Sequence, residues 1–145
     1  MREIVIEQGI DAPRERVWAL LSDHEGMTRW MPVREVVRRR PGSPEPDGVG
    51  AVRTIRGMGM VIEERVTDWK PGERLGYTLT EGAPIRDHAG EVVLVPQEGG
   101  TLVRWRVRFR PVVPGTGWLI ERALRAGLTR GLLGLKALAE AQPTT

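Results

Sequence analysis

TLVRWRVRF, residues 101–109, decides the fold. Val103, Trp105, Val107 and Phe109 alternate with Arg104, Arg106 and Arg108. That period of two belongs to a strand that buries one face and solvates the other. A turn signal, Gln97-Glu98-Gly99-Gly100, stands before it, and HAGEVVLVP, residues 88–96, stands before the turn. A hairpin closed on that turn sets Pro96 opposite Thr101, Leu94 opposite Val103, Val92 opposite Trp105 and His88 opposite Phe109. On the outer face Glu91 meets Arg106, a solvated cross-strand pair. His88 is thereby expected on the inner face.

Outward from this hairpin the strand signals continue: VREVVRRR (33–40), GAVRTIRG (50–57), MVIEERVTDW (60–69) and ERLGYTLT (73–80). With Lys70 and Glu73 closing a turn, Val66 meets Tyr77 and Glu64 meets Leu79. With Met58-Gly59 as the next turn, Ile55 meets Ile62 and Arg53 meets Glu64. A charged pair then lies on an apolar face, and a slip of one residue would turn it outward. PGSPEPDG, residues 41–48, reads as a surface loop between strands. EIVIEQ (3–8) is a first strand, after which Asp11 and Pro13 open a helix with Asp11 as its cap. Val17, Leu20 and Leu21 form its buried stripe. Ser22 and Glu25 have capping-box spacing for a second short helix, with Met27, Trp30 and Met31 on its apolar side and Pro32 ending it.

A long amphipathic helix is expected over 117–139, because Ile120, Leu124, Leu128, Leu132, Leu135 and Leu138 recur at helical spacing. Thr116 is its expected N-cap, and Pro143 lies past its end. Ala123, Gly127 and Gly131 form a small-residue stripe, with Gly134 nearby. Glycine inside a helix costs about 1 kcal/mol relative to alanine, so this stripe serves either close packing on the sheet or room for a ligand. Seven strands joined by short turns, with helices set apart, make an antiparallel α+β fold.

Composition bounds the function. The 145 residues, 40% hydrophobic and 28% charged, suit one domain spanning 1–145. The absence of cysteine excludes disulfides and thiolate metal sites. No apolar run reaches the roughly 18 residues of a membrane span, so no stable membrane insertion is expected. MREIVIEQ lacks the pattern of a signal peptide, so a cytoplasmic protein is expected. The net charge of +3 is small for a nucleic-acid binder. The rows Arg38-Arg39-Arg40 and Arg104, Arg106, Arg108 read as solvated strand faces. His24-Glu25 has no second histidine at the zinc spacing, and no phosphate-binding, dinucleotide or nucleophile-elbow motif occurs. Neither metal nor cofactor is expected. His24, in its turn, is expected at the surface.

IDAPRERVWALLSD (10–23), TRWMP (28–32), EERVTDWKPGERLGYTL (63–79), GGTLVRWRVRF (99–109) and the C-terminal helix together resemble the START-like superfamily. Within it the chain is most similar to the polyketide cyclase/dehydrase and lipid-transport family, also called SRPBCC. The resemblance spans residues 3–139. It implies a helix-grip fold: a curved seven-stranded antiparallel sheet around the C-terminal helix, two short helices after strand one, and a deep apolar cavity. Trp30 and its methionine neighbours would then stand at the corner of that cavity. The candidate ligand-binding residues are Trp30, Arg53, Glu64, Tyr77, Leu79, His88, Trp105, Leu124 and Leu128. The implied partner is a hydrophobic small molecule, bound by a monomer or homodimer. Two functions compete, binding without chemistry and aromatase/cyclase activity. Cyclisation needs a base and an enolate-stabilising donor, roles open to His88, Glu64, Tyr77 and Arg53. A third reading is an interaction protein whose cavity has collapsed into core.

Overall fold

The computed structural model describes residues 1–141. The expectation for Pro143 lies outside them. The chain runs β1 (Arg2–Ile10), α1 (Arg14–Leu21), a 3-10 helix (Glu25–Arg29), β2 (Glu35–Arg40), β3 (Val52–Gly57), β4 (Met60–Lys70), β5 (Arg74–Glu81), β6 (Ile85–Gln97), β7 (Gly100–Pro111) and α2 (Gly117–Glu140). The strands form one antiparallel sheet in the order β1-β7-β6-β5-β4-β3-β2. The sheet curves around α2 in the helix-grip arrangement. The first strand returns to pair with the last, Ile4 opposite Val107 and Ile6 opposite Trp105.

The alternation in β7 places Val103, Trp105, Val107 and Phe109 in the core. Its partner strand sets Val92 opposite Trp105, Leu94 opposite Val103 and Pro96 opposite Thr101, as the hairpin arithmetic requires. The extension to His88 and Phe109 does not hold. The β6–β7 register shifts between Arg86 and Ala89, so Asp87 and His88 together span the position opposite Phe109. Asp87 adopts φ +52°, a left-handed conformation that aspartate tolerates better than most residues. A second bulge, at Thr67, explains why Val66 faces Tyr77 and Glu64 faces Leu79. The ladder begins one residue later than expected, at Lys70 and Arg74, and the bulge restores the register.

Local capping differs from expectation. Pro13 holds the N-cap of α1 with no side-chain cap. The Asp11 backbone N–H instead donates to the Glu140 carboxylate across 2.8 Å. The Ser22–Glu25 capping box does not form; the Gly26 N–H donates to Asp23 Oδ1 at 3.2 Å. Thr116 precedes α2 as its N-cap residue, but its hydroxyl donates to the Val113 carbonyl rather than capping the helix. His24 is fully buried, which corrects its expected surface position. Its ring meets the edge of Trp69 with centroids 6.1 Å apart, and its backbone N–H donates to Asp47 Oδ2 at 3.4 Å. The proline-rich loop that carries Asp47 covers it, a tertiary contact that local spacing does not encode.

Two glycines of the α2 stripe serve close packing. A β-carbon at Gly134 would collide with the Trp30 backbone carbonyl, and one at Gly131 with the Met31 thioether. These two let the 30–31 segment lie directly on the helix. Gly127 differs: a β-carbon there would meet Met58 at an ordinary 3.6 Å. Ala123 is exposed and has no part in the packing.

Candidate functional site

Between α2 and the strands β3 to β7 lies a cavity of about 150 Å³. Its wall is mostly hydrocarbon and methionine sulfur, with one polar corner. Arg53, Glu64, Tyr77, Leu79, His88, Trp105, Leu124 and Leu128 all line it. Trp30 does not. It is buried behind the wall, its ring 6.2 Å from Trp105 and its backbone against Gly134 of α2.

Four of the chain's five methionines, Met27, Met31, Met58 and Met60, also line the cavity. Met58 and Met60 flank Gly59 at the β3–β4 turn and are exposed on their outer side. Unbranched, polarizable side chains adapt to varied ligand shapes. Clustering of methionine at two turns was the legible signal for this half of the wall, and pairing arithmetic alone does not reach it.

The polar corner is built from adjacent strands. Arg53 on β3 faces Glu64 on β4, which faces Leu79 on β5. Arg53 Nε and Nη2 both donate to Glu64 Oε1, at 3.1 and 2.7 Å. Both side chains are nearly inaccessible, with Arg53 3% and Glu64 6% exposed. Arg53 Nη1 is buried without a partner among the described residues. The guanidinium stands 5.5 Å from the centre of the Tyr77 ring, which gives it a cation–π neighbour.

Tyr77 is positioned by an absence. A β-carbon at Gly90, its cross-strand partner, would occupy the space of the phenol ring. The ring therefore lies over Gly90 and receives the Trp105 indole N–H at 2.9 Å. The Tyr77 oxygen accepts there, so its own proton remains to be donated. Burial, reinforced by the charge of Glu64, holds the hydroxyl above its ordinary pKa and therefore protonated.

His88 owes its place to the bulge. The β5–β6 ladder stops at Tyr77 and Gly90, and the His88 side chain takes over from the backbone. Its Nδ1 accepts the Leu79 N–H at 3.0 Å, while its carbonyl accepts the Thr78 hydroxyl at 2.7 Å. Burial lowers its pKa, with Glu64 pulling the other way, so the ring is neutral. A neutral imidazole that accepts at Nδ1 carries its proton on Nε2. The ring lies 5.4 Å from that of Tyr77. The corner therefore offers hydrogen-bond donors, with its one carboxylate already bound to arginine.

Among the described residues no group of three or more His, Asp or Glu side chains is placed to hold a metal. No described helix is long and apolar enough to cross a membrane.

The solved structures it resembles share this architecture. The START superfamily protein from Mycobacterium smegmatis superposes with a TM-score of 0.79 at 16% identity, over 95% of this chain and 97% of that one. XoxI from Bacillus cereus does so with a TM-score of 0.79 at 18% identity, over 96% of both chains. The Aha1 dimer from Colwellia psychrerythraea gives 0.75 at 19% identity, over 97% of this chain and 98% of that one. At these identities the likeness is one of fold. No curated protein matches the chain by sequence. The family described as polyketide cyclase / dehydrase and lipid transport matches residues 1–140, and with its helix-grip sheet around α2 the chain belongs to that family.

Proposed function

We propose that this chain is a cytoplasmic binding protein that takes one end of an apolar small molecule, a lipid, polyketide or aromatic metabolite, into the cavity between α2 and the sheet. The observation that carries this reading is the cavity itself, a space of about 150 Å³ walled by carbon and thioether with one donor-rich corner. Cavities of roughly that size in other proteins hold a benzene-sized group. The rest of a larger ligand would pass the exposed methionines, Met58 and Met60, at the β3–β4 turn. The candidate contacts are Arg53, Glu64, Tyr77, Leu79, His88, Trp105, Leu124 and Leu128, with Trp30 as their support.

Cyclase activity in the same cavity is the second reading, favoured by the two donors, Tyr77 and His88, beside one another. It ranks behind binding because the base is missing from the arrangement. The His88 Nε2 that would act carries a proton, and Glu64 is held by Arg53.

Leu128→Trp tests the binding reading by filling the cavity. The parent is expected to bind apolar fluorescent probes at about micromolar level, and the variant to lose them while its melting temperature stays within a few degrees. A parent that binds no probe, together with a variant destabilised by the about 1–3 kcal/mol typical of overpacking, would show that the space is ordinary core.

A further inference from the structure

Four titratable side chains line the cavity: Arg53, Glu64, Tyr77 and His88. Arg53 and Glu64 neutralise each other through two hydrogen bonds to the same carboxylate oxygen. His88 is fixed by the Leu79 N–H as a neutral ring with its proton on Nε2. Tyr77 keeps its phenolic proton. The remaining wall is aliphatic, aromatic or thioether. The lining therefore sums to zero charge, and, with the unpartnered Arg53 Nη1 enclosed, the spare donors left to a ligand are those of Tyr77 and His88.

We infer that the cavity selects a ligand whose buried end is a single ring bearing a neutral hydrogen-bond acceptor, such as an aryl ketone or ester, and discriminates against the matching carboxylate. The inference rests on the binding reading above. A carboxylate entering this corner would lose its water and gain no free cation. The guanidinium's Nε and Nη2 already serve Glu64, and Arg53 Nη1 is enclosed. It would also approach the Glu64 carboxylate, and buried like charges repel strongly. A neutral carbonyl needs no counter-ion. It satisfies the His88 Nε2–H or the Tyr77 O–H, each of which is otherwise left in an apolar space. Glu64 is thus the specificity-determining residue, because it cancels the one cation that would draw an acid in.

The test uses acetophenone, methyl benzoate and benzoate as probes, titrated into the full chain by NMR at about pH 7.5, where a carboxylic acid is ionised. The ketone and the ester are expected to bind the parent at least about tenfold more tightly than benzoate. In Glu64→Gln the guanidinium is released from its carboxylate, and benzoate is expected to overtake acetophenone. His88→Phe is expected to weaken acetophenone severalfold and leave benzoate where it was. Should Glu64→Gln not fold, Arg53→Met/Glu64→Leu serves: it removes both charges and is expected to keep the parent's preference for neutral rings. Equal affinity of the parent for acetophenone and benzoate, or tighter benzoate, overturns the inference and leaves the binding reading standing. Failure of all three rings to bind the parent overturns the binding reading itself, and this inference with it.

Discussion

Removing Glu64 alone, as Glu64→Leu, strands a guanidinium in the interior. Arg53 is 3% exposed, and two of its three nitrogens bond to nothing but Glu64 Oε1. The third is already without a partner. Breaking one side of a buried pair typically costs about 3–5 kcal/mol, against about 0–1 kcal/mol for a pair in water. The corner adjoins a cavity of about 150 Å³ that can admit water, so the lower end of the range applies. A loss of about 3 kcal/mol in a domain of this size lowers the melting temperature by about 10 °C. The double variant Arg53→Met/Glu64→Leu behaves differently. It removes both desolvation costs and fills the space with carbon, so it is expected within about 1 kcal/mol of the parent or above it. Urea unfolding of the parent, both single variants and the double, followed by tryptophan fluorescence, closes the cycle. If Glu64→Leu proves as stable as the parent within about 1 kcal/mol, the pair is effectively hydrated. The charge argument for ligand selection then loses its basis. A double variant that is stable but binds benzoate as tightly as acetophenone would likewise refute that argument, which expects the preference for neutral rings to survive the loss of both charges.

Two further predictions concern stability elsewhere. Gly127→Ala is expected to stabilise by up to about 1 kcal/mol through helix propensity, while Gly134→Ala, which drives a methyl into the Trp30 carbonyl, should cost about 1–3 kcal/mol; equal effects in thermal unfolding would refute the division of the glycine stripe. His24 has its pKa depressed from 6.5 to about 2, first by burial and then by the charges of Arg53 and Arg38. Above the unfolded value both states hold it neutral; as pH falls below 6.5 only the unfolded chain takes the proton, so stability is lost at up to about 1.4 kcal/mol per pH unit. His24→Leu should flatten that slope between about pH 6 and 4 in urea titrations, and unchanged slopes would show that His24 is hydrated.

Periodicity made the sheet legible. Strict alternation in β7 fixed which face is buried, and short turns fixed the pairing of Arg53 with Glu64, since nothing interrupts that hairpin. The long spacing of leucines in α2 did the same for the helix. The features that periodicity missed share one cause: each depends on a contact between segments far apart in the chain. His24 is buried by a loop 23 residues away. Trp30 stands behind the cavity wall with its carbonyl packed directly on Gly134. Capping also escaped, because the Asp11 N–H found a carboxylate at the far end of the chain, on Glu140. His88 was placed on the right face for an incomplete reason. The uninterrupted hairpin predicted it inward, and the structure brings it inward through a bulge and a side-chain bond to β5.

That bulge has an evolutionary consequence. Ile85 and His88 both line the cavity although three positions separate them, and an unbroken strand would send them to opposite faces. Strand β6 is in effect two strands in different phase, joined at Asp87. The later part, Ala89 to Gln97, is locked to β7 in one register and holds Val92 and Leu94 in the core. The earlier part pairs with β7 in a register of its own, Ile85 opposite Pro111 and Arg86 opposite Arg110. Gain or loss of one residue at Asp87 would exchange the side chains presented to the ligand and leave the core pairing in place. Descendants of this sequence could therefore acquire new ligands by a change of length at a single point, while Ala89 to Gln97 keep their register on β7.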